Sequence, residues 1–232
     1  MNGKVLITGT SRGIGRATAS LFLSKGYEVI GIDKDPGVIL DKNYTHHQVD
    51  IREADRLPVL TDIKYIINNA GVLYDREEPM SNNVYGTFNV EDAYVSRNLE
   101  TLEAIVNLSS IAALDGQDER EYVCSKGALI SYTKYLANEL AFHGVRVNCV
   151  IPGAGETEMN HLYIEDPVVY EAVEQQNLLG RWGQPEECAR AIYFMCVDAT
   201  FTTGETLLVD GGELVKNRYV RGKGETRPYD WR

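Results

Sequence analysis

Short apolar, β-branched runs alternate along this chain with longer stretches of helical period. Val5-Leu6-Ile7, Glu28–Ile32, His46–Val49, Tyr65–Ile67, Ala104–Leu108, Val145–Ile151 and Thr206–Val209 read as strands. Ile14–Lys25, Asn82–Leu99, Glu121–Phe142 and Pro185–Val197 read as helices. Strands that are apolar on both faces and alternate with helices predict a parallel sheet covered on both sides. The expected fold is therefore α/β, with a single doubly wound parallel sheet and helices on both faces. Ligands of such folds sit beyond the carboxyl ends of the strands, so the chemistry is sought in the loops that follow them.

The first such loop reads Thr8-Gly9-Thr10-Ser11-Arg12-Gly13-Ile14-Gly15. Glycines here allow a sharp turn, close approach of a diphosphate to the backbone, and tight helix–strand packing. The free N–H groups at the start of the next helix then hold the anion. Asp33 ends the second strand eighteen residues after Gly15, where an acid accepts hydrogen bonds from an adenosine ribose. Its charge repels a 2′-phosphate, which favours NAD. Arg12 and Lys34 are able to pair with that phosphate, so NADP stays open.

With this glycine spacing the chain resembles the short-chain dehydrogenase/reductases of the Tyr-Lys type, and the likeness runs over nearly its whole length. Asp50 and Ile51 match the family's adenine-side contacts. Asn68-Asn69-Ala70-Gly71 resembles its N-N-A-G, and Asn83-Val84-Tyr85-Gly86-Thr87-Phe88 its N-x-x-G-x-F. Val106-Asn107-Leu108-Ser109-Ser110 is similar to the strand that ends in the catalytic serine, and Tyr122-Val123-Cys124-Ser125-Lys126 to the Y-x-x-x-K pair. Pro152-Gly153 with Thr157 matches the stretch that grips the nicotinamide, and Val209-Asp210-Gly211-Gly212 the usual last strand. A second Y-x-x-x-K, Tyr219 to Lys223, has no serine strand before it and reads as an accident of a coil.

The resemblance implies a Rossmann-type fold and hydride transfer between a nicotinamide cofactor and an alcohol or ketone. Tyr122 is then the general acid/base, Ser110 polarises the substrate oxygen, and Lys126 also holds the nicotinamide ribose. Asn83 is expected to hold a water that relays protons to Lys126. The implied cofactor contacts are Gly9, Ser11, Arg12, Gly13, Ile14, Gly15, Asp33, Asp50, Ile51, Asn69, Ala70, Gly71, Pro152, Gly153 and Thr157, with Tyr122 and Lys126. Ser109 adjoins Ser110, but the place of the second serine after the strand favours Ser110. Asn82 adjoins Asn83, and the spacing to Gly86 favours Asn83.

Tyr122 and Lys126 are four apart on a helix, so they share a face one turn apart. A tyrosine at its usual pKa of about 10 is a poor base at neutral pH. Lowering it by roughly three units requires about 4 kcal/mol, and one cation about 4 Å away at an effective dielectric of about 20 provides that much. Lys126 alone is thus expected nearly to suffice.

Length and charge narrow the picture. The 232 residues suit one domain, and the interleaving of motifs from Thr8 to Thr157 places it at 1–212, followed by a basic tail at 213–232. The longest apolar run is the seven residues Ala191–Val197, far short of the roughly 18 that span a bilayer. The first residues run straight into a strand without a signal-type apolar stretch, and the expected location is the cytoplasm. Cys124, Cys149, Cys188 and Cys196 form no C-x-x-C pair and no zinc-type spacing; they read as buried thiols, with no metal expected.

A net charge of −11 disfavours nucleic acid and anionic membranes as partners. The tail itself carries +3, and it either docks on its own or a neighbouring subunit or is a solvated end. Ala154–Gly180, where the family sets its substrate specificity, holds six acids and no Lys or Arg. This argues against phosphate-bearing thioesters and for a neutral alcohol or ketone, with Leu162, Tyr163 and Ile164 as an apolar contact surface. The stretches around 52–64 and 72–82 are shorter than is usual in the family, which predicts no full helix between the third and fourth strands and an open adenine side. The runner-up reading is an NADPH-dependent 3-oxoacyl reductase. A non-catalytic nicotinamide-binding redox sensor is the alternative of another class, though its mark, a broken Ser-Tyr-Lys set, is missing. Family members are dimers or tetramers, so a homodimer or homotetramer is expected, with Tyr94, Tyr132 and Phe142 either as anchors on the two long helices or facing the core.

Overall fold

In a computed structural model describing residues 2–73 and 79–216, seven parallel strands form one sheet. They are β1 (Lys4–Thr8), β2 (Glu28–Asp33), β3 (Tyr44–Gln48), β4 (Ile63–Asn68), β5 (Ala104–Leu108), β6 (Arg146–Pro152) and β7 (Thr206–Val209). Their order across the sheet is β3-β2-β1-β4-β5-β6-β7. The chain winds outward from β1 through β3, then returns to β4 and winds the other way. That reversal opens a crevice at the carboxyl ends of β1 and β4, the place where such sheets bind ligands.

Alternate residues of each strand face opposite layers, as the two-residue period requires. Val5 and Ile7 meet Phe22 and Ile192 from α1 (Gly13–Ser24) and α7 (Pro185–Tyr193). Leu6, Ile66 and Ile105 meet Val90, Tyr94 and Leu136 from α2 (Gly86–Asn98) and α4 (Arg120–Leu140) on the other face. Each of these buried side chains contributes about 1.5–3 kcal/mol, so the two layers hold the crevice between rigid walls. Three short helices, α3 (Ala112–Asp115), α5 (His161–Ile164) and α6 (Pro167–Glu174), follow β5 and β6 and border its mouth.

The strands lie where the apolar runs place them, with β3 starting two residues earlier than expected. Two helices are not uniform. The segment expected at Asn82–Leu99 opens as a π-helical turn, Met80–Tyr85, and becomes α-helical at Gly86. The segment expected at Pro185–Val197 widens to a π turn at Phe194–Asp198. Between β3 and β4 there is only a 3-10 turn, Ala54–Arg56, as the shortened stretch predicts.

Several expectations change. Cys149, Cys188 and Cys196 are buried, but Cys124 is exposed on α4. Tyr94 is fully buried in the core and is not an interface anchor, whereas Phe142 is exposed and Tyr132 half-buried. Among the described residues, no helix is long and apolar enough to cross a membrane. Most of the basic tail, including Tyr219 and Lys223, lies outside the described residues, as do 74–78 in the second shortened stretch. The start of the tail packs on its own chain: Lys216 Nζ donates to the Asn177 carbonyl at 3.0 Å and to that of Gln175, just beyond α6.

Candidate active site

A cleft of about 770 Å³ opens at the strand-order reversal. Its floor is the loop from β1 to α1. Gly9 adopts φ +76°, a left-handed turn that glycine tolerates without strain. Gly15 lies directly beneath it, and a Cβ there would overlap the Gly9 carbonyl oxygen and the Asn69 amide. Asn69 Nδ2 donates to the Thr8 and Gly9 carbonyls at 2.8 and 3.0 Å, while Thr8 Oγ1 accepts from Asn69 N and Ala70 N. This lacing pins the loop after β4 to the glycine loop.

The first turn of α1 contains no acid, and Arg12 before it provides no side-chain cap. Its first N–H groups therefore take their anion from outside the helix. At the end of β2, Asp33 accepts from Ser11 N and Asp35 N, both at 2.9 Å, with its carboxylate bordering the cleft. Arg12 pairs with Asp35 at 3.3 Å, which partly neutralises the cation most able to hold a 2′-phosphate. Asp50 is clasped in a bidentate grip by Arg52, at 2.7–3.1 Å, and this hydrogen bonding holds its carboxyl below the usual range. Glycine cradle, a helix N-terminus without a local cap and a ribose-side acid together fit a dinucleotide.

At the other end of the cleft, Ser110, Tyr122 and Lys126 come together. Ser110 and Tyr122 share a hydrogen bond. The Ser109 hydroxyl instead donates to the Lys126 carbonyl at 2.8 Å, which leaves Ser110 as the serine facing the reacting centre. Lys126 Nζ donates to the Leu108 carbonyl at 3.0 Å and stands 5.7 Å from the centre of the Tyr122 ring. Burial has the largest effect on the tyrosine. It pushes the Tyr122 hydroxyl up to about 12, despite the Ser110 hydrogen bond, and Asp118 adds to the rise. Burial also brings Lys126 down to about 8. The expectation that Lys126 alone nearly suffices to ionise Tyr122 is therefore corrected: burial disfavours the charged form of both side chains.

Of the other predicted positions, Gly13, Ile14, Ile51, Ala70, Gly71, Pro152, Gly153 and Thr157 border the cleft. Ser11 and Gly15 support the loop from behind. Asn83 is fully buried within the π turn. Its Oδ1 accepts from Val72 N at 2.8 Å, and its Nδ2 donates to the Val72 carbonyl and Ser125 Oγ at 3.1 and 2.9 Å. Its side chain thus ties the loop after β4 to α4. Oδ1 of the neighbouring Asn82, which does border the cleft, has no hydrogen-bond partner among the described residues.

Sequence reasoning missed Asp115, Asp118 and Glu213, which line the substrate end. Burial raises Asp118 and Glu213, and Asp115 and Asp210 raise Glu213 further. Asp115 ends α3, Asp118 lies in the loop after it and Glu213 follows β7, and nothing in their spacing marks a common site. The expected apolar surface shifts as well. Tyr163 lines the cleft, but the remainder of that wall comes from Val168, Val169 and Val173 of α6 instead of Leu162 and Ile164.

The sequence profile of a family described as enoyl-(acyl carrier protein) reductase matches residues 65–213. A Sinorhizobium fredii protein described as an uncharacterized short-chain type dehydrogenase/reductase is 33% identical across 92% of this chain, which spans 44% of that longer protein. L-fucose dehydrogenase of Bos taurus is 30% identical, over 97% of this chain and 93% of its own. In three dimensions, a 4-hydroxyisoleucine dehydrogenase mutant solved with NADH and succinate superposes with a TM-score of 0.83 at 26% identity, covering 92% of this chain and 99% of its own. With the parallel sheet, the glycine cradle and the Ser110-Tyr122-Lys126 cluster, these likenesses place the chain in the short-chain dehydrogenase/reductase family: it is an NAD(P)-dependent oxidoreductase acting on alcohol or ketone groups.

Proposed function

We propose that this chain uses NAD(H) in preference to NADP(H) and acts on an uncharged, hydroxylated secondary alcohol or the corresponding ketone. The observation that carries the reading is the convergence of Ser110, Tyr122 and Lys126 on the cleft that also presents the α1 N-terminus and Asp33. A nicotinamide held beside them supplies or takes up the hydride. Tyr122, protonated at neutral pH, gives its hydroxyl proton to the substrate oxygen in the direction of carbonyl reduction. Ser110 hydrogen-bonds the same oxygen as charge develops there. Lys126, anchored on the Leu108 carbonyl, stabilises the phenolate left behind. Asn83 positions Lys126 by bracing α4 and the loop after β4.

Asp33 supports NAD, because a carboxylate at the ribose repels a 2′-phosphate and Arg12 is paired with Asp35. Asp115, Asp118 and Glu213 support a hydroxylated substrate: carboxylates accept hydrogen bonds from hydroxyl groups and repel phosphates and carboxylates. The named activity of the bovine relative, a sugar dehydrogenase, agrees. Relatives described as 3-oxoacyl-[acyl-carrier-protein] reductase, such as that of Aquifex aeolicus, keep a second reading, an NADPH-dependent 3-oxoacyl reductase, but the acid-lined cleft opposes an acyl-carrier thioester. Fluorescence titration with NADH and NADPH, followed by turnover of aldoses, polyols, simple ketones and acetoacetyl-CoA, decides. Tighter NADH binding and turnover of a neutral polyol or ketone are expected. A clear preference for NADPH and the thioester refutes the reading.

The proposal extends to setting and assembly. Four unpaired thiols suit a reducing compartment such as the cytoplasm. A homodimer or homotetramer is proposed through α2 and α4, where Tyr85, Phe88, Tyr132 and Tyr135 form a continuous row of ring contacts with Tyr85 and Tyr135 exposed.

A further inference from the structure

Glu158 lies 145 residues from the glycine loop, yet its carboxylate is seated on it. Oε2 accepts from Gly13 N, the first N–H of α1, at 3.0 Å, and Oε1 accepts from Arg16 at 3.3 Å. The helix has no acid in its first turn and no side-chain cap at Arg12, so this distant carboxylate is the anion occupying its positive end. Gly13 turns its N–H toward the carboxylate with φ +52°, a left-handed conformation that glycine adopts without strain. Glu158 also opens the segment that borders the substrate end, as the first residue of the 3-10 turn Glu158–Asn160 that leads into α5 and α6.

We propose that Glu158 sets the affinity for the coenzyme by acting as an internal anion that competes with the coenzyme's diphosphate for the N-terminus of α1. The proposal rests on the coenzyme reading above. A diphosphate approaching Gly13 meets a seat already holding a negative charge, and binding requires an exchange of anions. The exchange is feasible because the incumbent is weakly held: Arg16 and Glu158 are each about half exposed, at 49% and 47%, and such pairs contribute little in water. Because Glu158 begins the segment over the substrate end, displacing it moves the first turn of that wall. Coenzyme binding and the shape of the substrate end are coupled through this side chain.

The test is direct binding to the full chain, with turnover as a secondary readout. Glu158→Gln keeps the shape and removes the charge. Calorimetric or fluorescence titration of this variant is expected to show NADH and ADP-ribose binding about tenfold tighter than in the wild type, with adenosine, which lacks the diphosphate, unchanged. Glu165→Gln, which removes an exposed acid of the same segment, is expected to match the wild type and so controls for net charge. Unchanged or weaker binding of NADH and ADP-ribose by Glu158→Gln overturns the proposal. So does an equal gain for adenosine or for Glu165→Gln. A wild-type chain that binds neither NADH nor NADPH overturns the functional reading itself, a separate outcome.

Discussion

Replacing Lys126 by Met is expected to abolish turnover while leaving the chain at least as stable as the wild type near neutral pH. The ammonium is 4% exposed, and burial lowers its pKa from 10.5 to about 8. At about 1.4 kcal/mol per unit, holding that charge at pH 7 costs the folded chain about 3 kcal/mol. Methionine removes the cost but leaves the Leu108 carbonyl without its charged donor, a loss of about 1–3 kcal/mol. The two nearly cancel, with up to about 2 kcal/mol in favour of the variant.

The pH dependence is the sharper readout. The folded pKa lies below the unfolded one, so between about 8 and 10.5 the unfolded chain binds more protons and wild-type stability rises with pH. The difference between variant and wild type should shift by about 2 kcal/mol toward the wild type between pH 7 and pH 9.5. Urea unfolding at matched protein concentration measures it, and subtracting the two proteins cancels the other titrating groups. A difference flat across that range refutes the claim that the site holds a desolvated ammonium.

Glu91→Gln tests a second buried ionisable group. Glu91 is raised to about 8 by burial, so its contribution to stability is fully present below about 4.5 and is lost as pH rises through 8. Relative to the variant, the wild type should lose roughly 4 kcal/mol between pH 5 and pH 8.5 in urea unfolding; a constant difference contradicts this. Gly15→Ala forces a Cβ into the Gly9 carbonyl oxygen and the Asn69 amide, and is expected to weaken NADH binding at least 100-fold with the far-ultraviolet dichroism retained. Near-normal titration by NADH would show that the cradle is not where the coenzyme binds.

The sheet was legible because its strands are apolar on both faces, a signal that survives without tertiary context. The reacting centre was legible because Tyr122 and Lys126 are local to one helix, and Ser110 follows a strand whose register is fixed by its neighbours. What escaped was set by contacts between distant segments. Glu158 reaches Gly13, and Glu213 reaches Ala154 N at 3.3 Å. The π turn at Met80–Tyr85 was invisible for another reason: over six residues an apolar period of 3.6 cannot be told from a wider one. The depth of burial at Tyr122 and Lys126, which reverses the expected pKa of the tyrosine, follows only from how the layers close around them.

The central claim is that Tyr122 moves the proton that accompanies hydride transfer. Tyr122→Phe should fold normally and bind NADH within a few-fold of the wild type, while turnover of the best substrate falls about 10³-fold, within the usual range for removal of a general acid. Turnover within tenfold of the wild type, with coenzyme binding intact, would contradict the account.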